Sequence, residues 1–436
     1  MADSQHQATG VAPEKLAEAV SRAVGAAPVW DLHTHLFPPE FGTPMGRGVT
    51  PDPHGLMLWG VDELVTYHYL IAEVLREAPE VTPEAFYARS RSEQADLIWQ
   101  KLFVDATPVS EACRGVVTTL TKLGLDPNEK SLAGHRRWFA EQTPAGQVDR
   151  VLELAGVDTV TMTNDVFDEN ERGRWLAEGG VARDPRFPAV LRFDPLVVDW
   201  PAAAPRLRDW GYAVDAQASA GSIDAVRRFL GEWIGRMKPV YCAMSLPPEW
   251  RYPADGPGNR VLAEAIVPAC SEHGLPLALM IGVTRGVNPA LRQAGDGIGV
   301  THVDSLAALC RDFPQQRIMA TLLARENQHA LAVAARKFSN LTPFGCWWFI
   351  NTPSLIEETT RMRLELLGPT FVPQHSDARV LEQLLYKWDH SRAVLAKVLT
   401  DKYQDLAAAG WRVTPAAIER DANRLLRGNV ATLLEQ

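Results

Sequence analysis

Eight short β-rich runs alternate with helical stretches along most of this 436-residue chain, and few architectures accommodate that rhythm. The runs are 29–37 (VWDLHTHLF), 158–164 (DTVTMTN), 189–196 (AVLRFDPL), 239–246 (PVYCAMSL), 275–283 (LPLALMIGV), 317–324 (RIMATLLA), 341–349 (LTPFGCWWF) and 371–378 (FVPQHSDA). Helical periodicity fills the gaps at 221–237, 259–274, 302–313 and 354–368. Strands separated by crossover helices form parallel sheets, and eight such units predict an α/β fold, a (β/α)8 TIM-type barrel. The spacing has one large exception: 38–148 reads as helical throughout, a helical insertion after strand 1. The expected division is a tail and helix at 1–28, with residues 1 to about 12 disordered, a barrel made of 29–37 and 149–400, the insertion at 38–148, and C-terminal helices at 401–436.

Composition narrows the class of function. Apolar residues make up 46% of the chain, enough for a substantial core, and the net charge of −9 comes from scattered charges without a basic block. That pattern argues against nucleic acid or an anionic membrane as partner, and leaves a small-molecule enzyme. Five cysteines lie far apart, so neither a disulfide framework nor a cysteine-rich metal site is expected. No basic-then-apolar leader opens the sequence, and no apolar run reaches the roughly 18 residues of a membrane helix, which predicts a cytoplasmic protein.

A barrel of this kind carries its chemistry at the C-terminal ends of its strands. The first run carries His-Thr-His towards its C-terminal end, and strand alternation puts His33 and His35 on one side, where two imidazoles can share a cation. The last run ends with Asp377, either a third ligand or the N-cap of the helix that follows. Two imidazoles and a carboxylate suit one divalent metal, Zn²⁺ first, with Mn²⁺ or Fe²⁺ as alternatives. Arg379 is either a surface residue of a first helical turn or a cation aimed at an anionic substrate. Arg192 interrupts an apolar strand and needs a partner if buried. Asn164, Asp165, Asp194, Ser245 and Met280 fall at other strand ends, and alternation predicts that Trp347 and Trp348 point in opposite directions.

Taken together, these segments resemble the uronate isomerases of the metal-dependent amidohydrolase superfamily, as a divergent member. DLHTHLFPPEFG is similar to that family's D-x-H-x-H-L-x-P-x-E opening, and LWGVDELVTYHYLI to its W-L-x-x-D-H-Y-x-W segment. VDTVTMTNDVFDENE and RFDPL stand where it has V-x-x-T-D-D-P-x-D and R-P-D, and RENQHALAVAARKFSNLTPFGCWWFIN resembles its N-P-x-x-N followed by G-x-x-W-W-F-N. HSDARVL is similar to its T-D-S-R-S-F.

The resemblance implies His33, His35 and Asp377 as metal ligands, Asp377, Arg379 and Arg192 as the catalytic set, and Arg192, Arg379 and Trp347 or Trp348 near the substrate carboxylate or hydroxyls, with arginine holding the acid. It places Trp347, Trp348, Arg285, Asn164, Asp165 and Tyr67 against an acidic small-molecule substrate, in a homo-oligomer. The implied reaction is aldose–ketose isomerisation of a hexuronate by metal-assisted proton transfer through an enediol.

The sequence departs from the family at several points. Met280 stands where the family has a strand-5 histidine, Ser245 and Leu246 replace its S-D-H-G groups, and TRGVN keeps only Arg285 and Asn288 of its RNNN. LIWQKLFV lacks both histidines of its H-W-x-H-L-E-L. Those apolar replacements, with Leu102 among them, motivate an alternative: a mononuclear metal-dependent hydrolase, decarboxylase or hydratase acting on a less polar acid, amide or lactone. A third reading is a catalytically inactive barrel kept for binding.

Overall fold

The computed structural model describes residues 10–44, 50–178 and 180–435. The disorder expected for the N-terminal segment falls, over residues 1–9, outside the described residues.

Nine strands are present among the described residues: β1 (Val29–Thr34), β2 (Val157–Asp165), β3 (Ala189–Arg192), β4 (Tyr241–Leu246), β5 (Leu277–Ile281), β6 (Val283–Thr284), β7 (Gly297–Ile298), β8 (Ile318–Leu322) and β9 (Leu341–Pro343). Seven form one parallel sheet in the order β1-β2-β3-β4-β5-β8-β9, while β6 and β7 make a small antiparallel hairpin beside it. The eighth expected run closes the ring without forming a regular strand. On one side Gly345 N–H donates to the Val372 carbonyl and Val372 N–H to that of Pro343; on the other, Asp377 N–H donates to the His33 carbonyl and His35 N–H to that of Ala378. Regular pairing fails between these ends because Pro373 has no N–H and side chains take other donors: Gln374 Oε1 accepts from His375 N, and Asp31 Oδ1 from Ser376 N. The result is a (β/α)8 barrel.

Alternation along the strands divides the core in two. Ala278 and Met280 of β5 pack inside the barrel with Tyr241, Ala243, Met319 and Phe344, whereas Leu277, Leu279 and Ile281 join the layer between strands and helices. The seventh expected run is shorter than its sequence suggests. Its strand stops at Pro343, because Gly345 (φ +66) and Trp348 (φ +47) turn the chain into a 3-10 helix at Trp348–Ile350. Trp347 and Trp348 are therefore not alternating strand residues, and both are buried on the inner cluster.

Between β1 and β2 the described residues are mainly helical: Val61–Val65, His68–Glu77, Pro83–Tyr87, Arg91–Trp99, Glu111–Lys122, Ala133–Ala140 and Pro144–Ala155. Several start where the sequence supplies a cap. Ser90 accepts from Glu93 N while the Glu93 carboxylate accepts from Ser90 N, and Thr82, Ser110 and Thr143 cap their helices by the same bond to the third residue on. The long helix Gln383–Ala408 runs without interruption through residue 400, where a boundary was expected. Helix Leu16–Ala26 packs along it through Leu16, Val20 and Val24.

Candidate active site

A bulge in β1 aims the two histidines. Asp31 pairs with Val160 and Thr34 with Met162, so three steps along β1 match two along β2. The extra residue shifts the phase of the alternation: Trp30 and Leu32 face inward before it, and His33 and His35 converge on the interior after it.

Asp377 arrives from the closing segment with φ +51, and its N–H is held by the His33 carbonyl. The following helix begins only at Gln383, so Asp377 is not its N-cap. One carboxylate oxygen, Oδ1, lies 3.4 Å from His35 Nε2 and 3.8 Å from His33 Nε2. Ligand atoms at about 2.1 Å from a tetrahedral cation are separated by about 3.4 Å, so this spacing suits one ion.

Protonation states agree with that geometry. His33 Nδ1 lies 3.1 Å from Tyr241 Oη and 3.2 Å from Thr163 Oγ1, while the Tyr241 hydroxyl donates to the Leu32 carbonyl at 2.9 Å. The Tyr241 oxygen is left to accept from Nδ1–H, which directs the lone pair of His33 to Nε2, a buried atom with no hydrogen-bond partner. Burial lowers the pKa of His33, and burial followed by the charge of Arg379 lowers that of His35 to about 4. Burial alone would raise the pKa of Asp377; the hydrogen bond and charge of His35, with the other histidines, outweigh it and keep the carboxylate ionised. Neutral imidazoles beside a carboxylate are what a divalent cation requires.

Around this centre, inward-facing strand ends form a polar layer. Asp165 pairs in register with Arg192, Ser245 with Met280, and Met280 with Thr321. Arg192 has the partner its burial demands: Nε lies 2.9 and 3.0 Å from the two Asp194 oxygens, Nη2 binds Asp194 as well, and Nη2 reaches Ser245 Oγ at 3.1 Å. Ser245 N–H in turn donates to Asp194. Behind them Glu171 accepts from Asp165 N at 2.7 Å, and burial pushes its pKa up to about 8. Asn164 is fully buried with both side-chain polar atoms unpartnered.

The remaining expected residues divide by position. Tyr67 and Arg379 line a cavity of about 230 Å³ together with His68, and Arg379 makes no ion pair with a described residue. Trp348 lines a neighbouring cavity, whereas Trp347 packs on the inner cluster beside Met280. Arg285 is not brought to the centre: it is exposed and paired with Asp296 at the β6–β7 hairpin.

Sequence reasoning passed over several residues. His68 Nε2 and Tyr69 Oη are buried without partners beside the centre, and the His-Tyr step of the W-L-x-x-D-H-Y motif was the available signal. His375, fully buried, sets its ring 5.5 Å from that of His33, with neither nitrogen hydrogen-bonded. Asp31 accepts from Ser376 N and from Trp388 Nε1, fastening β1 to the closing segment and to the long helix.

Fold and site define a barrel enzyme with a His–His–Asp centre fit for a metal at the C-terminal ends of its strands. No family model matches the chain, and neither does any curated protein. Among solved structures, it is similar to a uronate isomerase from Bacillus halodurans C-125, with 51% identity over 98% of this chain and 97% of that one and a TM-score of 0.92. The chain belongs to the uronate isomerase family. A uronate isomerase from Thermotoga maritima (16% identity, 98% of both chains, TM-score 0.75) and a glucuronate isomerase from Caulobacter crescentus (14% identity, 97% and 94%, TM-score 0.74) share the fold.

Proposed function

We propose that the protein interconverts an aldohexuronate and its ketose isomer by moving a proton between C2 and C1 of the open-chain acid. The observation that carries this reading is the full-length likeness, at 51% identity, to a uronate isomerase, joined to the convergence of His33, His35 and Asp377. Placement within the amidohydrolase superfamily, and Zn²⁺ as the ion, belong to the same proposal. The cation, when bound, supplies Lewis-acid stabilisation of negative charge developing on the substrate oxygen.

The chain's own residues supply the rest. His33, His35 and Asp377 hold the ion. Arg379, which lines a cavity with Tyr67 and His68 and makes no ion pair with a described residue, supplies a cation for negative charge developing on the substrate. His68 is kept neutral because burial lowers its pKa to about 3, so its unpartnered Nε2 offers the substrate a hydrogen bond without adding a charge. Arg192, tied to Asp194 and Ser245, holds a fixed guanidinium at the strand-3 end as a hydrogen-bond donor.

The apolar replacements that motivated a hydrolase do not form a common wall. Leu246 and Leu102 pack in the layer outside the barrel, and of the three only Met280 is on the inner cluster. Incubating the purified, metal-loaded protein with glucuronate and following ketose formation by ¹³C NMR tests the proposal; no conversion of any hexuronate overturns it.

A further inference from the structure

The turn Pro289–Gly295, which joins β6 to β7, stands between two cavities. One, of about 270 Å³, is walled by Tyr69, Trp348 and Lys387; the other, of about 230 Å³, is that of Tyr67 and Arg379. His68 and Ala294 line both, so the partition is shared between the helical insertion and the turn. The charge of Asp377 is felt at Tyr67 on one side and at Lys387 on the other, so both cavities adjoin the metal centre. Each is smaller than the roughly 300 Å³ at which ligand pockets begin. With the turn moved aside they become one space.

The turn is braced as one stiff piece on a narrow base. Asp296 pairs with Arg285 and accepts from Gly286 N at 2.9 Å, and Asn288 N–H donates to the Gly295 carbonyl at 3.0 Å. Below it β6 and β7 pair over two residues each, and Gly299 N–H donates to the carbonyl of Gly282, whose φ of +124 turns the chain away from β5. Val287, Ile298 and Val300 are exposed, so little core holds the hairpin.

Across the gap, Tyr87 of helix Pro83–Tyr87 holds the turn down. Its hydroxyl donates to the Leu291 carbonyl at 2.6 Å, and the Arg292 guanidinium lies 4.0 Å from its ring centre. Arg292 itself is kept at φ +53 and ψ −130, the first central position of a type II′ turn, a conformation ordinarily left to glycine. Backbone strain of this kind persists only where neighbouring groups enforce it, and it collects at segments that switch.

We infer that the turn Pro289–Gly295 is a lid over the metal centre, latched shut by Tyr87 and swinging with the β6–β7 hairpin to admit and release small molecules. The inference rests on the hexuronate reading above for what passes beneath the lid, and on the geometry alone for the motion. Arg285 then has a part to play away from the centre, because its pairing with Asp296 stiffens the piece that moves.

The test weakens the latch in the metal-loaded, full-length protein and reads two rates that need no substrate. Tyr87→Phe keeps the ring under Arg292 and removes the hydrogen bond, which is expected to raise the open population about threefold or more. The first rate is removal of the metal by excess dipicolinate. The second is modification of a thiol placed on the lid as Ala294→Cys by a bulky maleimide dye; all five native cysteines are buried, so the new thiol is the one that reacts. Both rates are expected to rise together by that factor, with the dissociation constant of the metal unchanged. Arg292→Leu removes the guanidinium from the ring and should move both rates the same way, by about twofold or more; it decides the matter if Tyr87→Phe does not fold. Anything short of a joint rise overturns the inference: a faster thiol with unchanged metal removal means that the turn moves without covering the centre, and the reverse means that the metal leaves by another route. Absence of hexuronate turnover by the wild-type enzyme overturns the isomerase reading instead, and leaves both rates to decide the lid.

Discussion

His33 Nδ1 lies 3.1 Å from the hydroxyl of Tyr241, whose own proton is committed to the carbonyl of Leu32. A phenol placed this way fixes which imidazole nitrogen is free for a metal. Tyr241→Phe removes the acceptor and leaves the ring free to change tautomer. Metal affinity is expected to fall by about 10- to 100-fold, the usual cost of losing such a partner. Competition with a chelating dye measures it; an unchanged dissociation constant would show that Thr163 alone orients the ring.

Asp377→Asn preserves shape and removes the charge that the two imidazoles surround. The purified variant is expected to hold less than about a tenth of the wild-type metal, and to lose isomerase activity by about a thousandfold or more. Far-UV circular dichroism should be unchanged. Elemental analysis gives the answer directly, and full metal occupancy in the variant would remove Asp377 from the ligand set.

Gly345 sits at φ +66, where an added Cβ would come within 1.7 Å of His375 Nδ1, and the Gly345 carbonyl accepts from the buried Arg363 at 2.8 Å. Gly345→Ala therefore combines backbone strain with a collision against a ring that backs His33. A loss of about 3 kcal/mol or more is expected. Denaturant titration reads it, and a loss below about 1 kcal/mol would mean that His375 yields freely.

Glu171 supplies a pH dependence away from the metal ligands. Burial raises its pKa from 4.5 to about 8, so the folded chain keeps a proton that the unfolded chain has released at intermediate pH. More protons bound when folded means that stability falls as pH rises between about 4.5 and 8, then levels off. Glu171→Gln keeps an acceptor for Asp165 N–H and removes this linkage. At pH 8.5 the variant is expected to be more stable than wild type by on the order of 4 kcal/mol, with little difference at pH 4.5. Chemical denaturation at the two pH values separates the curves; parallel curves would mean that Glu171 ionises normally.

Much of the barrel was legible because its signal is local. Each β-rich run marked a strand or, at 371–378, the segment that completes the ring, and the H-x-H pair with Asp377 follows from where strands end. What escaped depends on tertiary context. The β1 bulge that brings His33 inward leaves no mark in residue type, and the turn at Trp348 breaks a run whose composition favours a strand. Lys387 reads as one more charged residue on a helix, and only the packing of the insertion and the turn after β9 buries it. Arg285 differs in another way: a motif match suggested a place near substrate, and in the fold it is paired with Asp296 at an exposed hairpin.

The closing segment that meets β1 also sets the order of assembly. Ser376 and Asp31, 345 positions apart, are bonded at the seam where the ring shuts, and the candidate ligands lie across that same seam. A ribosome must release almost the entire polypeptide before the histidines made first can meet their carboxylate. Copies terminated before Asp377 would then lack a complete ion-holding centre, so metal capture would distinguish chains that carry the closing segment from those that do not.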